Sequence, residues 1–159
     1  MARRKSVNFI REIAPDPRFG SVMVQKFINI VMWRGKKSAA RDIMYEALDT
    51  IAKRVGGQDK ALDVFLRAVA EVTPAIEVRP RRVGGGVYQI PKEVNPQRAR
   101  SLAMRWLISQ AAERSDKTMG LRLANEFMDA IEGRGGAIKK KIDVHKMAEA
   151  NRAFSHFAW

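Results

Sequence analysis

The sequence predicts a mainly α protein with six helices, one protruding β-hairpin, an extended basic N-terminal arm and a basic C-terminal helix. Three observations carry this reading. Apolar residues recur with helical spacing in five separate stretches, each with one buried face, and a sixth helix follows from about residue 137. A single stretch, 73–91, alternates with the period of a strand and includes Gly84, Gly85 and Gly86. The excess of 30 Lys+Arg over 17 Asp+Glu, a net +13, gathers at the two ends and in that stretch. A hydrophobic fraction of 46% over 159 residues fits one domain, 1–159, with its own core.

Residues 1–19 are polar and basic, and Pro15 and Pro17 block regular helix, so we read an extended arm. From residue 20, Val24, Phe27, Ile28 and Val31 fit the helical template. Ile30, Met32 and Trp33 make this helix apolar on more than one side, which places it centrally; Gly35 ends it. A second helix reaches residue 55 with Ala40, Ile43, Met44, Ala47, Ile51 and Val55 inward, and Gly56 and Gly57 stop it. The third spans 59–72, with Leu62, Phe65, Leu66 and Val69 on the buried template.

In the hairpin, Ile76 and Val78 alternate with Glu77 and Arg79, an inner and an outer face. We place its tip at Arg79, Pro80, Arg81 and Arg82, because proline suits the second position of a turn and donates nothing to a ladder. This is preferred to a tip at Gly84, Gly85 and Gly86, since the run 83–90 then has a partner of matching length. Asn95 followed by Pro96 reads as N-cap and first residue of the fourth helix, continued by Ala99, Leu102, Ala103, Trp106 and Leu107. Ser115 or Asp116 caps a fifth, with Leu123, Ala124, Phe127 and Ile131 buried. Gly133, Arg134, Gly135 and Gly136 form a flexible basic connection. The last helix, from about residue 137, carries Lys139, Lys140 and Lys141 in its first turns, where the helix dipole disfavours positive charge. A charge pattern that opposes its own helix answers to an external anion.

The chain has no cysteine, which removes disulfides, thiolate metal sites and thiol nucleophiles. No apolar run approaches the ~18–20 residues that span a bilayer, and the N-terminus lacks the apolar segment of a signal peptide. We expect a cytoplasmic protein without a membrane partner. His145 and His156 have no ligand cluster around them, so no metal or other cofactor is expected. Asp42, Glu46 and Asp49 are spaced as helix ion pairs with Arg41, Lys53 and their neighbours, which leaves catalysis without residues. Trp33 and Trp106 read as core anchors. Tyr88 and Trp159, in polar peripheral segments, are the better candidates for stacking on bases. Clustered cations, a glycine run that admits close backbone approach and a charge of +13 together point to a polyanionic partner, a nucleic acid.

Several strings are more particular. They are the hairpin 78–91, the segment 101–107 (Ser-Leu-Ala-Met-Arg-Trp-Leu), the segment 132–141 (Glu-Gly-Arg-Gly-Gly-Ala-Ile-Lys-Lys-Lys) and the segment 147–154 (Met-Ala-Glu-Ala-Asn-Arg-Ala-Phe). With the opening Met1, Ala2, Arg3, Arg4 and the closing Trp159, they closely resemble the bacterial form of small-subunit ribosomal protein seven, collinearly over essentially the whole chain. The resemblance implies a helical bundle with a protruding hairpin and a primary binder of the 3′ major domain of 16S rRNA, which nucleates assembly of the 30S head. It implies that the hairpin lies at the subunit interface near exit-site tRNA, with Arg81, Arg82, Gly84, Gly85 and Gly86 closest. Small-subunit ribosomal proteins nine and eleven are the implied neighbours, and the protein's own mRNA a further RNA partner. Mapped onto this chain, rRNA contacts fall on Arg3, Arg4, Lys5, Lys36, Lys37, Arg79, Arg81, Arg82, Lys139, Lys140, Lys141 and Arg152. The chain departs from the pattern at Pro80, where a small polar residue is expected, and before Trp159, where a basic residue is missing.

Three rival classes share some of these features. They are an architectural DNA-bending protein with a proline-tipped arm, an mRNA-binding translational repressor, and a nucleic-acid-modifying enzyme.

Overall fold

A computed structural model describes residues 12–157. Helices α1 (Val22–Val31), α2 (Lys37–Val55) and α3 (Gln58–Val72) lead into strands β1 (Ile76–Val83) and β2 (Gly86–Glu93). Helices α4 (Pro96–Glu113), α5 (Met119–Ile131) and α6 (Gly136–Ala150) follow, then a short 3-10 turn over Arg152–Phe157. The mainly helical class with one antiparallel hairpin is therefore as the periodicity predicts.

Three rings mark the centre of the core. Phe27 of α1, Phe65 of α3 and Phe127 of α5 meet edge to face with centroids 5.4–5.5 Å apart, and all three are fully buried. Edge-to-face contact sets the positive rim of one ring against the negative face of another, which favours this geometry beyond the area it removes from water. The central helix is α5, not α1. It packs against α2, α3, α4 and α6, whereas α1 lies mainly on α2 and α4 and enters the core through Val24, Phe27 and Ile28. The reason is visible in the side chains. Leu123, Ala124, Phe127 and Ala130 give α5 a wide apolar face with small residues on it, and Gly120 lies so close to Glu46 of α2 that a Cβ would collide with that carboxylate.

Smaller corrections follow from local chemistry. The N-cap of α5 is Thr118, whose hydroxyl accepts from the Leu121 amide, so neither Ser115 nor Asp116 starts that helix. In α3 the buried face runs through Ala61, Phe65, Ala68, Val69 and Val72, which leaves Leu66 37% exposed. Helix α4 begins as expected, with Asn95 accepting from the Gln97 amide and Pro96 at its first position. Of the expected N-terminal arm, residues 1–11 lie outside the described residues. Residues 16–20 form a turn held against α2, where buried Asp16 accepts from the amides of Arg18 and Phe19 and from the Tyr45 hydroxyl. Nor do the α2 carboxylates make the expected helix pairs. Asp49 takes both guanidinium nitrogens of Arg18 at 3.0 and 2.5 Å, and Glu46 accepts from the Thr118 hydroxyl at 2.6 Å.

Candidate nucleic-acid interface

The hairpin tip lies at Gly84 and Gly85, between Val83 and Gly86, and not at residues 79–82. Both glycines have positive φ, +57° and +88°, the condition of the two-residue turn whose twist matches the twist of a β-ribbon. That requirement outweighs the preference of Pro80 for a turn. Pro80 sits inside β1 opposite Gln89, and a ribbon of only two strands tolerates a residue that cannot donate.

Moving the tip redistributes the arginines. Arg81 pairs with Tyr88 and Arg82 with Val87, so the two are neighbours in sequence but project from opposite faces of the ribbon. Arg82 and Val87 are exposed. Tyr88 is 37% exposed and packs on Phe154 of the 3-10 turn, ring centroids 4.7 Å apart, which braces β2 from one side. Arg152 opens that turn and lines a cleft at the hairpin base together with Ile76, Lys92 and His145.

Glu77, which strand alternation puts on the outer face, is buried instead. Its two carboxylate oxygens accept from the Arg79 Nε at 2.6 Å and the Arg98 Nε at 2.7 Å. Burial pushes the Glu77 carboxyl upward, but the hydrogen bonds from Arg98 and Arg79 outweigh it and hold the group below the ordinary carboxylate value. One carboxylate thereby aims Arg79 and ties the root of the hairpin to α4.

The start of α6 is built from a second network. The buried Glu126 carboxylate accepts the Ala137 amide at 2.8 Å through one oxygen and a guanidinium nitrogen of Arg114 at 2.6 Å through the other. Arg114 also donates to Asp129 at 2.6 Å. Burial lowers the Arg114 value, yet the bonds to Asp129 and Glu126 leave it raised overall. With its first turn anchored in this way, α6 presents Lys139 and Lys140 to solvent. Lys141 is half-buried and donates to the Glu71 carbonyl in the last turn of α3, so it also closes a helix end. The connection before α6 is a defined turn in which Gly133 and Arg134 donate to the carbonyls of Ala130 and Asp129 and Arg134 pairs with Glu132.

A third positive segment joins α1 to α2. Lys36 and Lys37 are exposed there, and Trp33, expected in the core, is 76% exposed beside them. Helix α1 ends at Val31, a full turn before Gly35, and this swings Trp33 away from the apolar stripe it would otherwise extend. Trp106 does pack against the core, half-buried. Arg3, Arg4, Lys5 and Trp159 lie outside the described residues. Among the described residues no helix is long and apolar enough to cross a membrane, and no group of three acidic or histidine side chains could hold a metal ion.

A family model described as Ribosomal protein S7p/S5e matches residues 2–152. The chain belongs to that family. As an S7p/S5e protein it is a structural component of the small ribosomal subunit that binds rRNA, and the family is not one of enzymes. The signals that sequence reading missed in this S7p/S5e chain are Glu77 as the anchor of the hairpin arginines and Trp33 as a surface aromatic. The first was detectable only as a lone acid in a basic strand.

Proposed function

We propose that this chain is a primary binder of the 3′ major domain of 16S rRNA and nucleates assembly of the 30S head in the cytoplasm. Residues 1–159 act as one rRNA-binding unit. Its hairpin reaches the subunit interface near exit-site tRNA with Arg81, Arg82, Gly84, Gly85 and Gly86 foremost, and ribosomal proteins nine and eleven are its neighbours. The same surface serves for its own mRNA. The observation that supports this reading is the placement of exposed cations on projecting or terminal elements. Arg82 stands on the ribbon, Lys139 and Lys140 on the first two turns of α6, Lys36 on the α1–α2 turn and Lys37 at the start of α2.

Electrostatics supplies the mechanism. Where rRNA segments converge, phosphate repulsion opposes folding, and fixed guanidinium and ammonium groups offset it while releasing condensed counterions. Arg3, Arg4, Lys5, Lys36, Lys37, Arg79, Arg81, Arg82, Lys139, Lys140, Lys141 and Arg152 are the contacts we assign. If they neutralise about 6–10 phosphates, affinity drops about 10³–10⁵-fold between 50 and 200 mM salt. Footprinting of the purified protein on isolated 16S rRNA tests the assignment. Protection inside the 3′ major domain is expected, and protection concentrated elsewhere overturns it.

A further inference from the structure

Trp33 is the most exposed of the large hydrophobic side chains among the described residues, at 76%. The turn that carries it is unusual. The Trp33 carbonyl accepts the Lys36 amide at 3.1 Å, and both residues between them have positive φ, +50° at Arg34 and +78° at Gly35. Arg34 is the only non-glycine residue in that region among those described, and side chains with a Cβ rarely adopt it. The chain thus holds an unfavourable backbone conformation at the place where it also leaves an indole in water. Such an outlier is a reason to look for a ligand.

The surrounding charge says which kind. Arg34, Lys36 and Lys37 flank the indole, and the sequence has no Asp or Glu between Asp16 and Asp42. The first turn of α2 is likewise without an acid. A protein partner with an apolar pocket does not require that field; a polyanion with flat apolar faces does. Resting on the rRNA-binding reading above, we propose that Trp33 is a stacking platform for an unpaired rRNA base, with Arg34, Lys36 and Lys37 holding the phosphates on either side of it. The base must be unpaired, because in an A-form helix its faces are already stacked on its neighbours.

The test uses the full chain and a 16S rRNA 3′ major domain transcript. Trp33→Ala should weaken binding about tenfold or more, the usual effect of removing one base-stacking aromatic. Its salt slope should stay as in the parent chain, because the indole neutralises no phosphate. Trp33→Phe should retain most of the affinity, while Trp33→Leu should behave like Trp33→Ala. In a chain carrying Trp106→Phe and Trp159→Phe, the remaining Trp33 emission should be quenched by the transcript. Unchanged affinity of Trp33→Ala, rescue by Trp33→Leu, or absence of quenching while the transcript is bound each overturns the stacking role and leaves rRNA binding intact. Failure of the parent chain to bind the transcript overturns the rRNA-binding reading itself.

Discussion

Glu77 on β1 and Arg98 on α4 meet at 2.7 Å across 21 residues of sequence, and the other oxygen of the same carboxylate holds Arg79. The hairpin is therefore not attached to the body by its apolar residues alone. Glu77→Ala should cost about 1–2 kcal/mol, since it strands two guanidinium groups, and no more than that because both remain about half exposed. Urea denaturation of the two proteins measures the difference. The substitution should also weaken rRNA binding through Arg79, although it removes a negative charge that by itself repels RNA. A rise in affinity would show that Glu77 does not position that arginine.

The same carboxylate gives a pH dependence with a definite sign. Its folded-state value lies below the ordinary 4.5, so within the window between the two values the unfolded chain binds more protons. The stabilisation is complete above about pH 4.5 and disappears as pH falls through the folded value. Glu77→Gln should therefore be less stable than the parent chain at pH 7, with the gap closing under acid. Denaturation at a series of pH values from 7 to 3 checks it; a gap that widens on acidification reverses the sign.

Most of the helices were legible because their signals are local. Asn95 and Pro96 start α4, Gly56 and Gly57 separate α2 from α3, and Leu123, Ala124 and Phe127 face inward by spacing alone. What escaped depends on competition or distance. Pro80 and the glycine pair both favour a turn, and only the positive φ at both central residues decides for Gly84 and Gly85. Glu77 follows the strand alternation, but which face is covered depends on α6 and on the 3-10 turn, which pack on the hairpin from far along the sequence, and on Arg98 of α4. Trp33 continues an apolar run in sequence; the helix simply stops before reaching it. The candidate site was legible as a set of cations and not as an arrangement of them.

Glu126 couples the α4–α5 connection to α6. Glu126→Ala would leave the Ala137 amide without its acceptor and Arg114 with Asp129 and a longer contact to Asp116. A loss of about 2–4 kcal/mol is expected, since a buried charge pair is broken from one side. Glu126→Gln keeps an oxygen for the Ala137 amide and should lose less. Equal losses in thermal or urea unfolding would assign the whole effect to the ion pair and none to the cap.

Lys139 and Lys140 separate binding from stability. Lys139 closes the first turn of α6 and Lys140 opens the second, near amides that carry positive partial charge. The first turn has no acidic residue of its own, and Glu126 of α5 satisfies only the Ala137 amide. Removing them should therefore stabilise the isolated protein modestly, by about 0.3–1 kcal/mol at low salt and mainly through Lys139. If each holds a phosphate in the rRNA complex, the doubly substituted Lys139→Ala, Lys140→Ala chain should bind more weakly. Its log–log salt slope should be shallower by about 0.7–0.9 for each phosphate no longer neutralised. The two effects have opposite signs, so a general loss of folding cannot imitate them. A doubly substituted protein that is more stable but binds with the parent slope would show that this turn faces solvent in the complex. Loss of both stability and affinity would mean that the lysines support α6 itself.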